Sequence, residues 1–120
     1  MHSASKEPAV FSLDELPGRD ASRQFEGAER GSGVPISFYE ERTEPGRGPG
    51  PHRHPYGEVF VLHEGEVEFV VEGKTIPASP GSVVVVPPET THGFTNVGDG
   101  PIHMTCIHAA AAMEQENLDE

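Results

Sequence analysis

From Glu58 to Asn96 this chain consists of short apolar runs, each ended by residues that break or turn the backbone. EVFVLH (58–63), EVEFVVE (66–72), KTIP (74–77), SVVVV (82–86) and HGFTN (92–96) are parted by EG, G, ASPG and PPETT. Runs of this length, rich in valine and phenylalanine, suit strands and are too short for ordinary helices. In EVEFVVE, Val67, Phe69 and Val71 fall on one side and Glu66, Glu68 and Glu72 on the other, the alternation of a half-buried strand. SVVVV is apolar on both faces and is expected to be a covered strand. Glu64-Gly65 is expected to close a hairpin between the first two runs. Many short strands at this spacing make an all-β sandwich or barrel.

The flanking sequence is less regular. Residues 1–35 read as an arm of short strand or loop. Within it FSLDELPG (11–18) could pack Phe11 and Leu13 on the body, and GAERGSGVP (27–35) reads as a turn or mobile loop. ISFYEE begins the regular part, with Ile36 and Phe38 alternating against Ser37 and Tyr39. EPGRGPGP (44–51) is a long connection full of breakers, and PIHMTCIH (101–108) is the last strand. AAAAMEQENLDE is expected to form one or two helical turns. A chain of 120 residues forms one domain, divided here into an arm (1–35), a barrel (36–108) and a tail (109–120).

HRHPYGE, residues 52–58, gathers three metal-capable side chains. In an extended stretch His52 and His54 point the same way. Pro55 and Gly57 let the chain bend, so that Glu58 can return to the same spot from an adjoining strand. Taken alone, the triplet fits a surface loop as well as a metal site. A second group follows in GSVVVVPPETTHGFTN: Gly81 allows a tight entry, Pro87-Pro88 ends the valine run, and His92 starts a strand with Phe94 and Asn96 on its own face.

Together these groups resemble the two motifs of the cupin family. Gly46, His52, His54, Glu58 and Gly65 stand at every spacing of the first motif, and Gly81, Pro87, His92 and Asn96 match the second. Glu89 stands where the second motif has glycine, a departure at a turn position. The resemblance implies an all-β, single-domain cupin β-barrel (a double-stranded β-helix, or jelly roll) with a metal inside its mouth. It implies His52, His54, Glu58 and His92 as metal ligands. Three imidazoles and one carboxylate suit one divalent transition metal: iron, manganese, nickel, zinc, cobalt or copper. Four protein ligands leave positions open for water, substrate or dioxygen. The implied function is that of a metalloenzyme, such as a dioxygenase or isomerase, acting on a small anionic or enolisable molecule. The alternative is a non-catalytic cupin that binds or senses a small ligand.

The net charge of −12 argues against nucleic acid or an anionic membrane as partner. No signal-peptide pattern opens the chain and no run reaches transmembrane length, so the expected location is the cytoplasm. A homodimer is expected, since small cupins resemble one another in pairing through sheet faces or edges. Tyr56 is a candidate hydrogen-bonding group at the mouth, though a cover over the barrel end suits a turn tyrosine better. Glu89 is the candidate acid or base, weighed against an ordinary exposed turn carboxylate. His63 is expected to face away from the metal. His103 and His108 fall on opposite faces of the last strand, so at most one lines the pocket, and both are read as structural. Cys106 is read as packing rather than redox. Phe38, Phe60, Phe69 and Phe94 are core candidates, with Phe60 or Phe94 able to wall the cavity.

Overall fold

Alternation in the strands folds the chain into two facing layers. The structure, a computed structural model, describes residues 8–30 and 33–118. After a 3-10 turn at Leu13–Glu15 come β1 (Arg23–Glu26), a single helical turn α1 (Gly27–Arg30), β2 (Ser37–Thr43), β3 (His52–Arg53) and β4 (Glu58–Glu64). Then follow β5 (Val67–Val71), β6 (Lys74–Ala78), β7 (Val83–Val86), β8 (His92–Asn96), β9 (Ile102–His108) and β10 (Glu116–Asn117). One sheet has the order β1-β2-β9-β4-β7 and the other β10-β3-β8-β5-β6, every pairing antiparallel. This is a jelly-roll barrel, as expected. No helix among the described residues is long and apolar enough to cross a membrane.

Three sequence expectations are corrected. The runs 58–63 and 66–72 are not a hairpin, because β4 pairs with β7 and β9 while β5 pairs with β6 and β8. Gly65, at φ 96°, is the corner where the chain changes sheets. The tight hairpin is β5–β6, closed by Glu72 (φ 49°) and Gly73 (φ 80°), with Val71 opposite Lys74. Two positive-φ residues in a two-residue loop match the right-handed twist of the strands. Nor is β7 covered on both sides: Val83 and Val85 are 60% and 67% exposed while Val86 is buried. The tail is not helical either, and its Glu116–Asn117 pairs with β3. Its polar main chain finds partners on neighbouring strands instead of in a helix.

The core is a single cluster: Phe60, Leu62, Val67, Phe69, Ala78, Val86, Phe94, Ile102, Met104 and Cys106. Phe69 meets Phe60 edge-on with ring centroids 4.9 Å apart, and lies 5.6 Å from Phe94. Phe38 is only half-buried and stacks on Phe25 outside the barrel, at 5.1 Å. The breaker-rich connection 44–51 is pinned along β8, through Gly46 N–H to Asn96 O (2.9 Å), Asn96 N–H to Arg47 O (2.9 Å) and Phe94 N–H to Pro49 O (3.3 Å). A Cβ on Gly48 would lie 2.0 Å from the Phe94 carbonyl oxygen, so glycine is what lets the loop lie this close. The loop delivers β3 to β8 with His52 opposite His92.

Candidate metal centre

Each donor reaches the barrel mouth for a local reason. His52 lies on β3 and His54 just after it, so period two turns both inward. Glu58 is the first residue of β4 and shares its buried face with Phe60 and Leu62. His92 opens β8, with Phe94 and Asn96 buried on the same face. The four side chains are all buried, and their donor atoms lie within 4.8 Å of one another. Glu58 Oε1 is 3.1 Å from His54 Nε2 and 3.2 Å from His92 Nε2.

The imidazoles are aimed by their outer nitrogens. Nδ1 of His52, His54 and His92 lies 2.8, 2.7 and 2.8 Å from the carbonyl oxygens of Gly50, Glu114 and Thr90. A carbonyl only accepts, so each Nδ1 carries the proton and each Nε2 presents a lone pair to the centre. His54 Nε2 is buried and makes no hydrogen bond, although it lies 3.1 Å from Glu58 Oε1. Lone pairs facing a carboxylate oxygen at this distance repel unless a cation lies among them. The donor set, three imidazole nitrogens and one carboxylate oxygen, fits a divalent transition metal.

Burial would raise the Glu58 carboxyl, but His108 and, once a proton takes the cation's place on their Nε2 atoms, His54 and His92 outweigh it and hold it well below the usual carboxylate range. Burial lowers His52 despite its bond to Gly50. Burial also pulls His54 down, yet Glu58 and the Glu114 carbonyl more than compensate, leaving it raised.

A cavity of about 920 Å³ opens onto the group, walled by Tyr39, Glu41, His52, His54, Glu58, Phe60, Phe94, Cys106 and His108, with Arg19 and Arg47 also on its lining. Both expected aromatic walls are therefore present. Cys106 is buried, and burial pushes its thiol well up, in keeping with packing. His63 is exposed and bonds Thr105 Oγ1 at 2.8 Å, while His103 pairs with Glu40 at 2.7 Å on the outside. Glu89 is absent from the large cavity; its side chain is 64% exposed and 3.8 Å from Arg53 Nε. Tyr56 stacks over His54 at 4.9 Å and hydrogen-bonds His108 Nδ1 at 2.7 Å, covering the centre from outside the cavity.

Two residues at the site escaped the sequence reading. His108, read as structural, has its Nε2 3.1 Å from Glu58 Oε2. The signal was parity, since His108 shares the inward face of Met104 and Cys106. Glu41 faces the cavity from β2 and bonds Thr43 Oγ1. Burial raises its carboxyl, the Thr43 bond lowers it, and the Glu58 charge raises it again, for a net upward shift. The apolar alternation of ISFYEE pointed the other way, because Phe38 packs outside and polar residues line the hollow.

The cupin domain model matches residues 39–108. The Streptomyces cyaneus protein described as polyketide synthase CurC is 38% identical over 61 residues, which are 50% of this chain and 40% of that one. Oxalate decarboxylase of Lactobacillus farciminis in complex with formate superposes with a TM-score of 0.82 at 20% identity, over 95% of this chain and 37% of that one. A Bacillus subtilis oxalate decarboxylase, in a structure concerned with its Mn(II) centres, gives 0.78 at 22% identity, over 88% and 30%. At such identities the likeness establishes the fold, and the chain spans less than half the length of each relative.

Proposed function

The chain belongs to the cupin domain family, and on that premise we propose that it is a metal-dependent enzyme acting on a small, oxygen-rich, enolisable molecule. The carrying observation is the convergence of His52, His54, Glu58 and His92, whose donor atoms lie within 4.8 Å of one another, at a wall of a cavity large enough for such a molecule. A divalent iron, manganese, nickel, cobalt, copper or zinc ion held by His52, His54, Glu58 and His92 would supply Lewis-acid polarisation of a substrate oxygen. The remaining work belongs to the chain. Phe60 and Phe94 offer an apolar wall that excludes water from one side. Glu41, whose carboxyl is raised and has no cationic partner among the described residues, is the group suited to take a proton from a carbon next to a carbonyl. The polyketide context of the Streptomyces relative supports an enolisable substrate, and the oxalate decarboxylases support a compact, oxygen-rich one. Isomerisation and dioxygenation are the reaction types this donor set serves.

The test uses acetylacetone, a small enolisable probe, in deuterated buffer with metal-loaded protein. The proposal expects exchange of its central C–H, followed by proton NMR, to run faster than with the same free metal and to fall at least about tenfold in Glu41→Gln. Exchange no faster than with free metal, alongside a thermal shift on ligand binding, would favour the non-catalytic binding reading.

A further inference from the structure

We propose that the main chain of Glu114, in the C-terminal tail, is part of the metal centre. It orients His54 directly and Glu58 through Tyr56 and His108, so that metal affinity depends on the tail being docked. This rests on the four-ligand reading and adds to it a dependence on residues outside the motifs that carry the family resemblance.

The direction of each hydrogen bond follows from its neighbour. The Glu114 N–H donates to the Tyr56 hydroxyl oxygen at 3.0 Å. The Tyr56 O–H then donates to His108 Nδ1, 2.7 Å away. With Nδ1 accepting, the neutral His108 ring carries its proton on Nε2, which faces Glu58 Oε2 at 3.1 Å. That N–H lies against one Glu58 oxygen, and the other is turned to His54 and His92. The Glu114 carbonyl meanwhile accepts from His54 Nδ1 at 2.7 Å. One tail residue, through its two main-chain groups, thus fixes two of the four donors. Outer hydrogen bonds of this kind set ligand orientation and basicity.

The tail itself is held by polar contacts. Ser37 Oγ donates to Ala110 O (2.9 Å), Ala28 N–H to Ala111 O (2.9 Å), Met113 N–H to Glu26 Oε2 (2.7 Å) and Leu118 N–H to Pro51 O (2.9 Å), and Arg53 pairs with Glu116 at 2.9 Å. None of residues 109–118 is buried. The tail therefore adds little to the core, and its effect on metal can be separated from its effect on folding.

Mn(II) alone is titrated into the parent, Tyr56→Phe, His108→Leu, His108→Gln and a chain lacking residues 114–120, with affinity read by calorimetry and the bound ion by electron paramagnetic resonance. Tyr56→Phe and the shortened chain are expected to bind about tenfold more weakly, and His108→Leu between about tenfold and a hundredfold. His108→Gln should recover part of the loss, because its amide N–H can still donate to Glu58. Metal-free Tyr56→Phe should keep the parent's circular dichroism. Parent-like binding by Tyr56→Phe and His108→Leu overturns the proposal and leaves the metal reading intact. A parent that binds neither Mn(II) nor Zn(II) overturns both. Should the shortened chain fail to fold, Tyr56→Phe decides.

Discussion

The two ends of the barrel interior are lined from the same strands and held in opposite ways. β4 carries Glu58 at one end and Leu62 at the other; β9 carries His108 at one end and Ile102 and Met104 at the other. At the far end the side chains are apolar and lock by shape, apart from Asn96, whose amide is satisfied by the Thr43 and Gly100 carbonyls and the Gly98 N–H. At the mouth, buried polar groups are held through hydrogen bonds to main-chain carbonyls from loops and the tail. Burying polar groups costs free energy unless each is partnered, and at the mouth His54 Nε2 lacks a partner among the described residues. Stability thus resides at one end and binding chemistry at the other, and substitutions should separate them.

The largest effect is expected at the closed end. Phe69 is fully buried against Phe60 and Phe94, and Phe69→Ala should cost about 3–5 kcal/mol through lost contacts and an unfilled cavity. Denaturant titration of metal-free protein measures this, while Mn(II) affinity of the folded fraction should stay near the parent's. An equal collapse of metal affinity would show that the ends are not separable.

At the mouth, His54→Ala should do the reverse. It removes one of four donors and one bond to the tail, so metal affinity should fall about a hundredfold or more. The β-type circular dichroism should persist, and the metal-free variant should melt only modestly below the metal-free parent. Unfolding of this variant, or of the parent under chelation, would make the metal a structural one.

Acid should act on the mouth alone. Glu58 is held below its ordinary value of 4.5, so its stabilising contribution is complete above that pH and is lost as pH falls toward its folded value. His52, lowered from 6.5, works in the same direction: below 6.5 the unfolded chain takes up the proton more readily. His54, raised from 6.5, opposes them, its contribution being complete below 6.5 and lost as pH rises through its folded value. Glu41, raised from 4.5, also opposes them, because the folded chain takes up its proton first as pH falls. The net expectation for metal-free protein is a loss on the order of 2 kcal/mol between neutral and about pH 3, with a flatter profile in Glu58→Gln. Urea midpoints across that range check it; parallel profiles would remove Glu58 as the source.

The contrast also explains what was legible in the sequence. Period-two alternation and the spacing of His52, His54, Glu58 and His92 are local signals, and they were enough for the barrel and for the gathering of these four side chains at one place. Sheet assignment is not local. EVFVLH and EVEFVVE look like hairpin arms, and only the pairings of β4 with β9 and of β5 with β8 separate them. Glu41 was hidden because a polar cavity inverts the usual rule that apolar residues point inward, leaving Phe38 outside. The place of the tail depends on main-chain bonds that no side-chain pattern encodes.

The smallest effect is expected at Glu89, where the family motif has glycine. Its φ of 59° lies in the left-handed region, which costs a non-glycine residue about 1 kcal/mol. Its contribution to the mouth is made by the main chain, since its N–H donates to the His54 carbonyl at 2.8 Å while its side chain points to solvent. Glu89→Gly keeps that donor and relieves the backbone, but glycine also gives the unfolded chain more freedom, an opposing term of about 0.4–1 kcal/mol. The ion pair with Arg53 adds little, because Arg53 keeps Glu116 at 2.9 Å. Stability should therefore move by no more than about 0.5 kcal/mol, and Mn(II) affinity should match the parent's. Exchange of acetylacetone should be unchanged as well, in contrast to Glu41→Gln. A large loss of exchange in Glu89→Gly would return the acid–base role to the turn and put the working carboxyl outside the cavity, breaking the division between a chemical mouth and an inert rim.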